Sequence, residues 1–346
     1  LKFRRVLFRS KKLMTPTLKD VAELAGVSRS AVSRTFTKGA SVSIKMRRKV
    51  EQAAKELGYS PNALASSLTT GRTKLIGLVA NNFHNPIFLE VFDLFTKTLQ
   101  ERDLRPLIVN LSDETDPEQS LRMLKQYSVD GVVVASSTLP SGFGRAFNEA
   151  GIPVVHTFGR FATSPDVHVV GIDNVECGRM AARTLIERGY QNIGYLGGPE
   201  DATTAQDRKH GFMEEAALHP KIQARARFSE GYTFSAGRKI MLEELSAKPA
   251  EAYFCGDDVL SIGALSAIRE NGLEPAKDMG IIGLNDMHMA AWQGFDLTTI
   301  RQPIAQIITA SVDLIEEMFI EPERHPEARI FPCHIVERGT LRSIQG

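Results

Sequence analysis

Apolar and polar positions fall into two rhythms along the chain. Between residues 17 and 58 the apolar positions recur at helical spacing in three short stretches. From Leu75 onward, short continuous apolar runs alternate with longer helical patterns. In the first region Thr17 with Asp20 forms a capping-box pattern, and Leu18, Val21, Ala22 and Ala25 then share one helical face. Gly26 suits a left-handed helix end, and Ser28 suits the N-cap of a second helix whose inward positions are Val32 and Phe36. After a loop from Lys38 to Val42, Ser43 caps a third helix with Val50, Ala53, Ala54 and Leu57 inward and Gly58 at its end. The expectation is helix, tight turn, helix, closed by a third helix into a small head.

In the second region the apolar runs are Leu75 to Val79, Leu107 to Leu111, Val132 to Ala135, Val154 to Val155, Asn192 to Leu196, Ala252 to Cys255 and Met279 to Gly283. Ile87, Val91, Leu94, Phe95, Thr98 and Leu99 lie at helical spacing between the first two. Repeated strand and helix predict parallel sheets covered on both faces, and the length argues for two sheets. The fold class is therefore α/β, with a helical head in front of a two-lobed body.

Charge sharpens this division. The chain of 346 residues has a formal net charge of +1, yet residues 11 to 74 carry 13 Lys and Arg against 4 Asp and Glu, a net of +9. Residues 75 to 346 carry 25 against 37, a net of −12. A basic head on an acidic body fits a nucleic-acid-binding module attached to a ligand-binding or assembly body. With 42% hydrophobic and 24% charged residues, the composition excludes disordered and fibrous classes. No apolar stretch reaches a membrane-spanning length and no secretory signal opens the chain, so a cytoplasmic protein without a membrane partner is expected. Cys177, Cys255 and Cys333 are far apart in sequence and read as buried structural thiols, with no disulfide framework. Residues 1–13 read as a non-native or disordered leader: Leu1 to Ser10 resembles translated sequencing adapter, a basic arm being the alternative, and Met14 is the candidate start.

The stretch TLKDVAELAGVSRSAVSRTFTKGASVS, followed by KVEQAAKELGYSPNALASSL, carries an AGVS turn, a VSR segment and a GYSPNALA linker in order. From Thr17 to Leu68 it resembles the headpiece and hinge of the lactose-repressor (LacI) family of bacterial regulators. The resemblance implies a helix-turn-helix headpiece over residues 14–60, a hinge helix and linker over 61–74, and a periplasmic-binding-protein-like sensor over 75–346. Its first lobe is expected at about 75–172 and 303–331, its second at about 173–302 and 332–346. In such a fold the second helix enters the major groove of double-stranded, palindromic operator DNA. Arg29 and Arg34 are then the candidate base readers, since a guanidinium fork matches guanine O6 and N7, with Ser30 an adaptable partner. Thr17, Ser28, Ser33, Ser43, Tyr59 and Asn62 suit phosphates, although plain capping accounts equally for Thr17 and Ser43. Leu68 matches the hinge leucine that wedges between base steps in the minor groove, with Ala65 beside it; the other reading of Leu68 is a core leucine at a domain junction.

Ligands of open parallel sheets sit beyond the C-terminal strand ends. There the chain places Asn81, Asn82 and His84 with Phe88 after the first run, Ser136 and Ser137 after the third, and Thr157, Phe158 and Arg160 after the fourth. Asp257 and Asn285 follow two later runs. The mixture of amides, carboxylates, an arginine and flat rings suits a hydroxyl-rich effector such as a sugar or sugar acid. By resemblance Arg208, in RKHG, and Asp257 and Asn285, in CGDD and GLND, are effector contacts; the alternative for Arg208 is a surface ion pair. Two of these depart from the family's common pattern, which has N-D at Asp257-Asp258 and D-D at Asn285-Asp286, so the effector's identity does not carry over. Tyr232 and Trp292 are either ring-stacking residues or core. His156, His168, His210, His219, His288, His325 and His334 show no metal-ligand spacing, and no metal or cofactor is expected.

TTIRQP, Thr298 to Pro303, resembles the family's crossover between lobes, after which a helix from Ile304 to Phe319 should return to the first lobe. A homodimer follows from a palindromic operator. A transport protein with the same body would not explain residues 17 to 68. An enzyme is not expected: GxGxxG after a strand, P-loop, HExxH and GxSxG are all missing.

Overall fold

The structure, a computed structural model, describes residues 16–37, 39–62, 67, 71–81, 83–111, 117–136 and 141–344. It separates into two compact units, residues 1–73 and 74–346.

The first unit is built from helices α1 (Leu18–Ala25), α2 (Arg29–Phe36) and α3 (Ile44–Leu57). Each begins on a side-chain cap. Thr17 and Asp20 make the full capping box on α1, the Ser28 hydroxyl accepts from the Ala31 N–H, and the Ser43 hydroxyl accepts from the Met46 N–H. α1 ends at Gly26 and α3 at Gly58, both left-handed. Val21, Ala22, Ala25, Val32, Val50, Ala53 and Ala54 form the core. Phe36, expected inward, is instead exposed at the end of α2, where its ring lies 5.9 Å from that of Tyr59. A core made of Ala and Val brings the helices too close together to admit another large ring.

In the second unit the described residues form two six-stranded sheets. The first contains β1 (Leu75–Ala80), β2 (Arg105–Asn110), β3 (Gly131–Ala135), β4 (Val154–Thr157), β5 (His168–Ile172) and β11 (Ala328–Phe331), in the order β11-β5-β4-β3-β1-β2. Its helices are α4 (Ile87–Glu101), α5 (Pro117–Gln126), α6 (Ser141–Glu149) and α11 (Ile304–Ile320), the last packed against β3, β4, β5 and β11. The second sheet contains β6 (Asn192–Gly197), β7 (Gln223–Phe228), β8 (Ala252–Cys255), β9 (Gly280–Asn285), β10 (Thr299–Arg301) and β12 (His334–Val336), in the order β12-β10-β9-β8-β6-β7. Its helices are α7 (Asn174–Glu187), α8 (Thr203–Ala217), α9 (Phe234–Ser246) and α10 (Asp258–Glu270). Pairing is parallel except where β12 runs antiparallel to β10. The chain passes between sheets after β5, after β10 and between β11 and β12. Among the described residues no helix is long and apolar enough to cross a membrane.

α7 and α8 touch through their backbones. A Cβ on Gly178 would lie 2.1 Å from the Arg208 carbonyl oxygen, and one on Gly211 would lie 1.9 Å from that of Val175. Only glycine permits this approach, and it sets the position of Arg208 on α8. Gly211→Ala should therefore force the helices apart and cost about 1 to 3 kcal/mol, seen as a fall of several degrees in the thermal melt of the body. An unchanged melt would show that the helices separate without penalty.

Candidate functional site

Two surfaces carry chemistry. On the first unit Ser28, Arg29, Ser30, Ser33 and Arg34 are all exposed along one side of α2, while Val32 and Thr35 turn inward. The Arg29 and Arg34 side chains have no hydrogen-bond or ion-pair partner among the described residues. Their donor forks are therefore uncommitted, which is what contact with an acceptor-rich surface requires. The Ser28 and Ser30 hydroxyls share a hydrogen 2.9 Å apart at the helix N-terminus. The Thr17 hydroxyl is engaged by Asp20, and Ser43 is exposed at the start of α3. Lys45, Arg48 and Lys49 are exposed along α3 and extend the positive surface. Arg47, not singled out in the sequence, ties α3 to α2 by donating to the Thr35 carbonyl at 2.7 Å. Tyr59 is half-buried against Phe36, and Asn62 is exposed. Ala65 and Leu68 lie outside the described residues.

The second surface is a cleft of about 570 Å³, counted out to its mouth, at the C-terminal strand ends of both sheets. Its apolar wall comes from the first-sheet side, where Ile87, Phe88 and Val91 are aligned by helical spacing on α4, joined by Phe158, Ile172 and Ile304. Its polar wall contains Asn174, Arg208, Asp257 and Asn285, with Asn85 and Gln302 completing the rim. Asp257 is the node of this wall. Its Oδ1 caps α10 by accepting from the Val259 N–H at 2.7 Å. Its Oδ2 accepts from the Asn85 amide at 2.8 Å and the Asn285 amide at 2.9 Å, and so joins the two sheets' loops. Burial pushes the Asp257 carboxyl up to about 6, against the opposing pull of its backbone and amide donors and of Arg208. Arg208 is itself buried, donating to the Asn174 side-chain oxygen and the Gly256 carbonyl, both at 2.8 Å. Asn285 and Phe158 both hold positive φ, +122° and +64°. Such backbone is held in place only by its surroundings, here at two cleft-lining positions.

Of the expected effector residues, Phe88, Phe158, Arg208, Tyr232, Asp257 and Asn285 line this cleft. Asn82 lies outside the described residues. His84 is exposed in the turn before α4, and Ser136 is fully buried outside the cleft lining, its hydroxyl donating to the Asn81 side-chain oxygen at 2.8 Å. Arg160 reaches across the lobes to Asp207 on α8, at 2.7 Å, instead of into the cleft. Trp292 is half exposed and stacks on Phe295, away from the cleft. Sequence reasoning missed Asn85, Asn174 and Gln302. The first sits three residues past Asn82, the second follows a strand that the apolar pattern did not reveal, and the third lies inside the crossover motif, where only a hinge was sought. Asp258, beside Asp257, is structural: it accepts from the Thr299 hydroxyl at 2.6 Å and the Met287 N–H at 2.7 Å, stitching α10 to β9 and β10. Cys333, expected buried, is only half-buried in the link between β11 and β12. Among the described residues no group of three or more His, Cys, Asp or Glu is placed to hold a metal ion.

Residues 17–62 match the family of bacterial regulatory proteins of the lacI type, and residues 182–341 match a periplasmic binding protein-like domain. The HTH-type transcriptional repressor PurR of Escherichia coli O139:H28 is 33% identical over 334 residues, covering 94% of this chain and 96% of that protein. A structure of the lac repressor dimer bound to operator and the anti-inducer ONPF has the same fold, with a TM-score of 0.84, 24% identity and coverage of 95% of this chain and 100% of that one. A transcriptional regulator CelR–cellobiose complex is 28% identical with a TM-score of 0.70, covering 94% and 99%. These relatives are regulators, not enzymes. With an uncommitted cationic face on its second helix and a polar cleft between two lobes, the chain belongs to the lacI family and is a DNA-binding transcriptional repressor of that family.

Proposed function

We propose that the chain is a cytoplasmic homodimeric repressor that reads a palindromic operator through α2 and is controlled by a neutral, polyhydroxylated effector, a sugar, bound in the cleft of residues 75–346. The carrying observation is the buried Asp257 carboxylate, joined to amides from both lobes and facing an apolar wall. A sugar ring lays its C–H face on Phe88 and Phe158 and gives its hydroxyls to Asp257, Asn285 and Asn174. A sugar acid suits the site less well, because Asp257 repels a second carboxylate and Arg208 already donates to Asn174 and Gly256. A purine base is the second reading, favoured by the three rings Phe88, Phe158 and Tyr232 around the cleft. In the head, Arg29 and Arg34 read base edges, Ser30 adapts, and Ser28, Ser33, Thr17, Ser43, Tyr59 and Asn62 hold phosphates. Two copies are required because a palindrome presents two half-sites, and effector-driven closure of the lobes alters the spacing of the two heads.

Fluorescence anisotropy of the protein on its own upstream promoter DNA, with sugars, sugar acids and purine bases added in turn, tests this reading. A sugar that changes specific binding supports it, and a response to purine bases alone replaces it with the second. Arg29→Ala should weaken operator binding by about 1 to 3 kcal/mol while leaving random-sequence DNA nearly unaffected, as competition titrations would show. Equal loss on both would make Arg29 a phosphate contact.

Effector affinity should also depend on pH in one direction. As the carboxylate Asp257 is a charged acceptor at both oxygens, whereas protonation removes the charge and turns one oxygen into a donor, so affinity is full above its value of about 6 and falls below it. Between pH 7 and pH 5 the calorimetric Kd should rise about tenfold, the one-proton limit for such a group. A flat profile would remove Asp257 from the contact set. Arg160→Gln breaks the pair between the lobes without touching the cleft and should weaken effector binding by less than tenfold, since the glutamine amide can still donate to the buried Asp207 and the charge lost is that of a solvent-exposed guanidinium, worth about 0 to 1 kcal/mol.

A further inference from the structure

The fold brings together two cysteines that are far apart in sequence. Cys177 lies in the first turn of α7, just past the first passage between the sheets, and Cys333 occupies the two-residue link between β11 of one sheet and β12 of the other. Both are free thiols, and Cys333 packs against the buried cluster that contains Cys177. β11 pairs with β5, Phe331 lying against Ile172, so the link that carries Cys333 starts beside the turn that leads into α7 and Cys177. The two members differ in access: Cys177 is 2% exposed, whereas Cys333 is half-buried and open to small reagents. They also differ in chemistry. The nearness of the two thiols, together with burial, raises Cys177 well above the usual thiol range, and the same interaction favours the thiolate at Cys333. Arg208 is close enough to both sulfurs to favour a thiolate. Thus the reachable member of the pair is the more readily ionised, and the buried member stands behind it as a resolving thiol.

We propose that Cys177 and Cys333 form a peroxide-responsive dithiol site, whose oxidation links α7 to the third crossover between the lobes. The Cys333 thiolate attacks one oxygen of hydrogen peroxide, forming an S–O bond and breaking O–O. The products are Cys333 sulfenic acid and hydroxide, which takes up a proton as water. The Cys177 sulfur then attacks the Cys333 sulfur, gives up its proton and displaces hydroxide, which leaves as a second water. Two thiols and one peroxide thereby give one disulfide and two waters, with the sulfurs losing two electrons and the peroxide gaining them. The link falls at one pivot of lobe movement. It also falls on the helix whose Asn174 receives Arg208, so oxidation fixes a crossover that must flex when the cleft opens or closes. Cys255, fully buried on β8 and pushed up to about 12 by burial, is the internal control.

The test is to expose the reduced full-length protein to hydrogen peroxide, block remaining thiols, and map peptides by mass spectrometry without reduction. The expected result is a Cys177–Cys333 linked peptide with Cys255 still alkylated, reversed by dithiothreitol. In Cys177→Ser the reaction should stop at a Cys333 sulfenic acid that dimedone traps. Hydrogen exchange should slow at Cys333 and His334 and in the first turn of α7 in the oxidised wild-type protein. Recovery of all three thiols after peroxide that fully oxidises glutathione overturns the proposal. So does oxidation of Cys333 beyond the sulfenic stage without a link, or oxidation of Cys255 at the same rate. The wild-type peptide map needs no variant, so a variant that fails to fold leaves the test intact.

Discussion

A carboxylate removed from water must be surrounded by donors, and Asp257 meets that demand only by drawing three elements to one point. The Val259 N–H comes from the first turn of α10, the Asn285 amide from the end of β9, and the Asn85 amide from the turn before α4 on the other lobe. Arg208 then approaches from α8, held by Asn174 at the start of α7. Asn85 and Asn285 are thus positioned directly by this group and Gln302 at one remove, while Arg208 is fixed by the Gly256 carbonyl next to Asp257 and in turn holds Asn174. The arrangement has a cost. A carboxyl moved from 3.8 to about 6 binds its proton more tightly in the folded than in the unfolded state, so the protein forgoes about 3 kcal/mol of stability at neutral pH. That stability is present below pH 3.8 and is lost as pH rises through 6. Its persistence marks the cleft as a place where binding, not stability, governs the choice of residue.

What was legible in the sequence follows from how locally each element is determined. The head was readable almost to the residue because its caps act across three positions: Thr17 with Asp20, Ser28 with Ala31, Ser43 with Met46. The central strands β1, β3, β8 and β9 were readable because burial on both faces leaves an unbroken apolar run. β7 was not, since Gln-Ala-Arg-Ala-Arg-Phe looks polar until Arg225 and Arg227 are seen to meet Glu244 on α9 at the sheet edge. β11 and β12 were hidden for another reason: strands of four and three residues carry too little pattern to register. The cleft residues that escaped notice share this non-local character. Asn85, Asn174 and Gln302 become neighbours only through the interlobe crossovers, and no spacing along the chain records that meeting.

The two units solve opposite electrostatic problems. The head leaves cations unpaired on its surface: the Arg29 and Arg34 side chains have no partner among the described residues, and few acidic side chains lie near them in sequence. The body pairs its cations. Arg179, Arg183, Arg225, Arg227, Arg238 and Arg338 each meet a carboxylate on a neighbouring element. A positive surface free of internal partners retains the field that attracts a polyanion, and an acidic, internally paired body does not compete for it. The net charge of +1 is the near-cancellation of these two designs.

The exchange of amide and carboxylate between positions 257 and 285 now has a physical sense. Asn285 donates to Asp257 at 2.9 Å, so in this chain the carboxylate stands at position 257 and its amide partner at position 285. In this orientation the negative charge sits at the N-terminus of α10, where the helix dipole and the Val259 N–H favour an anion. The amide falls at the end of β9, against the Gln302 crossover, with its oxygen accepting from the Gln302 amide. A carboxylate only accepts, whereas an amide both donates and accepts. The second lobe therefore presents an obligatory acceptor at the helix end and an adaptable group beside the hinge. On the proposed reading, a polyol effector brings its hydroxyl donors to position 257 and meets at position 285 a group that the crossover itself holds in place.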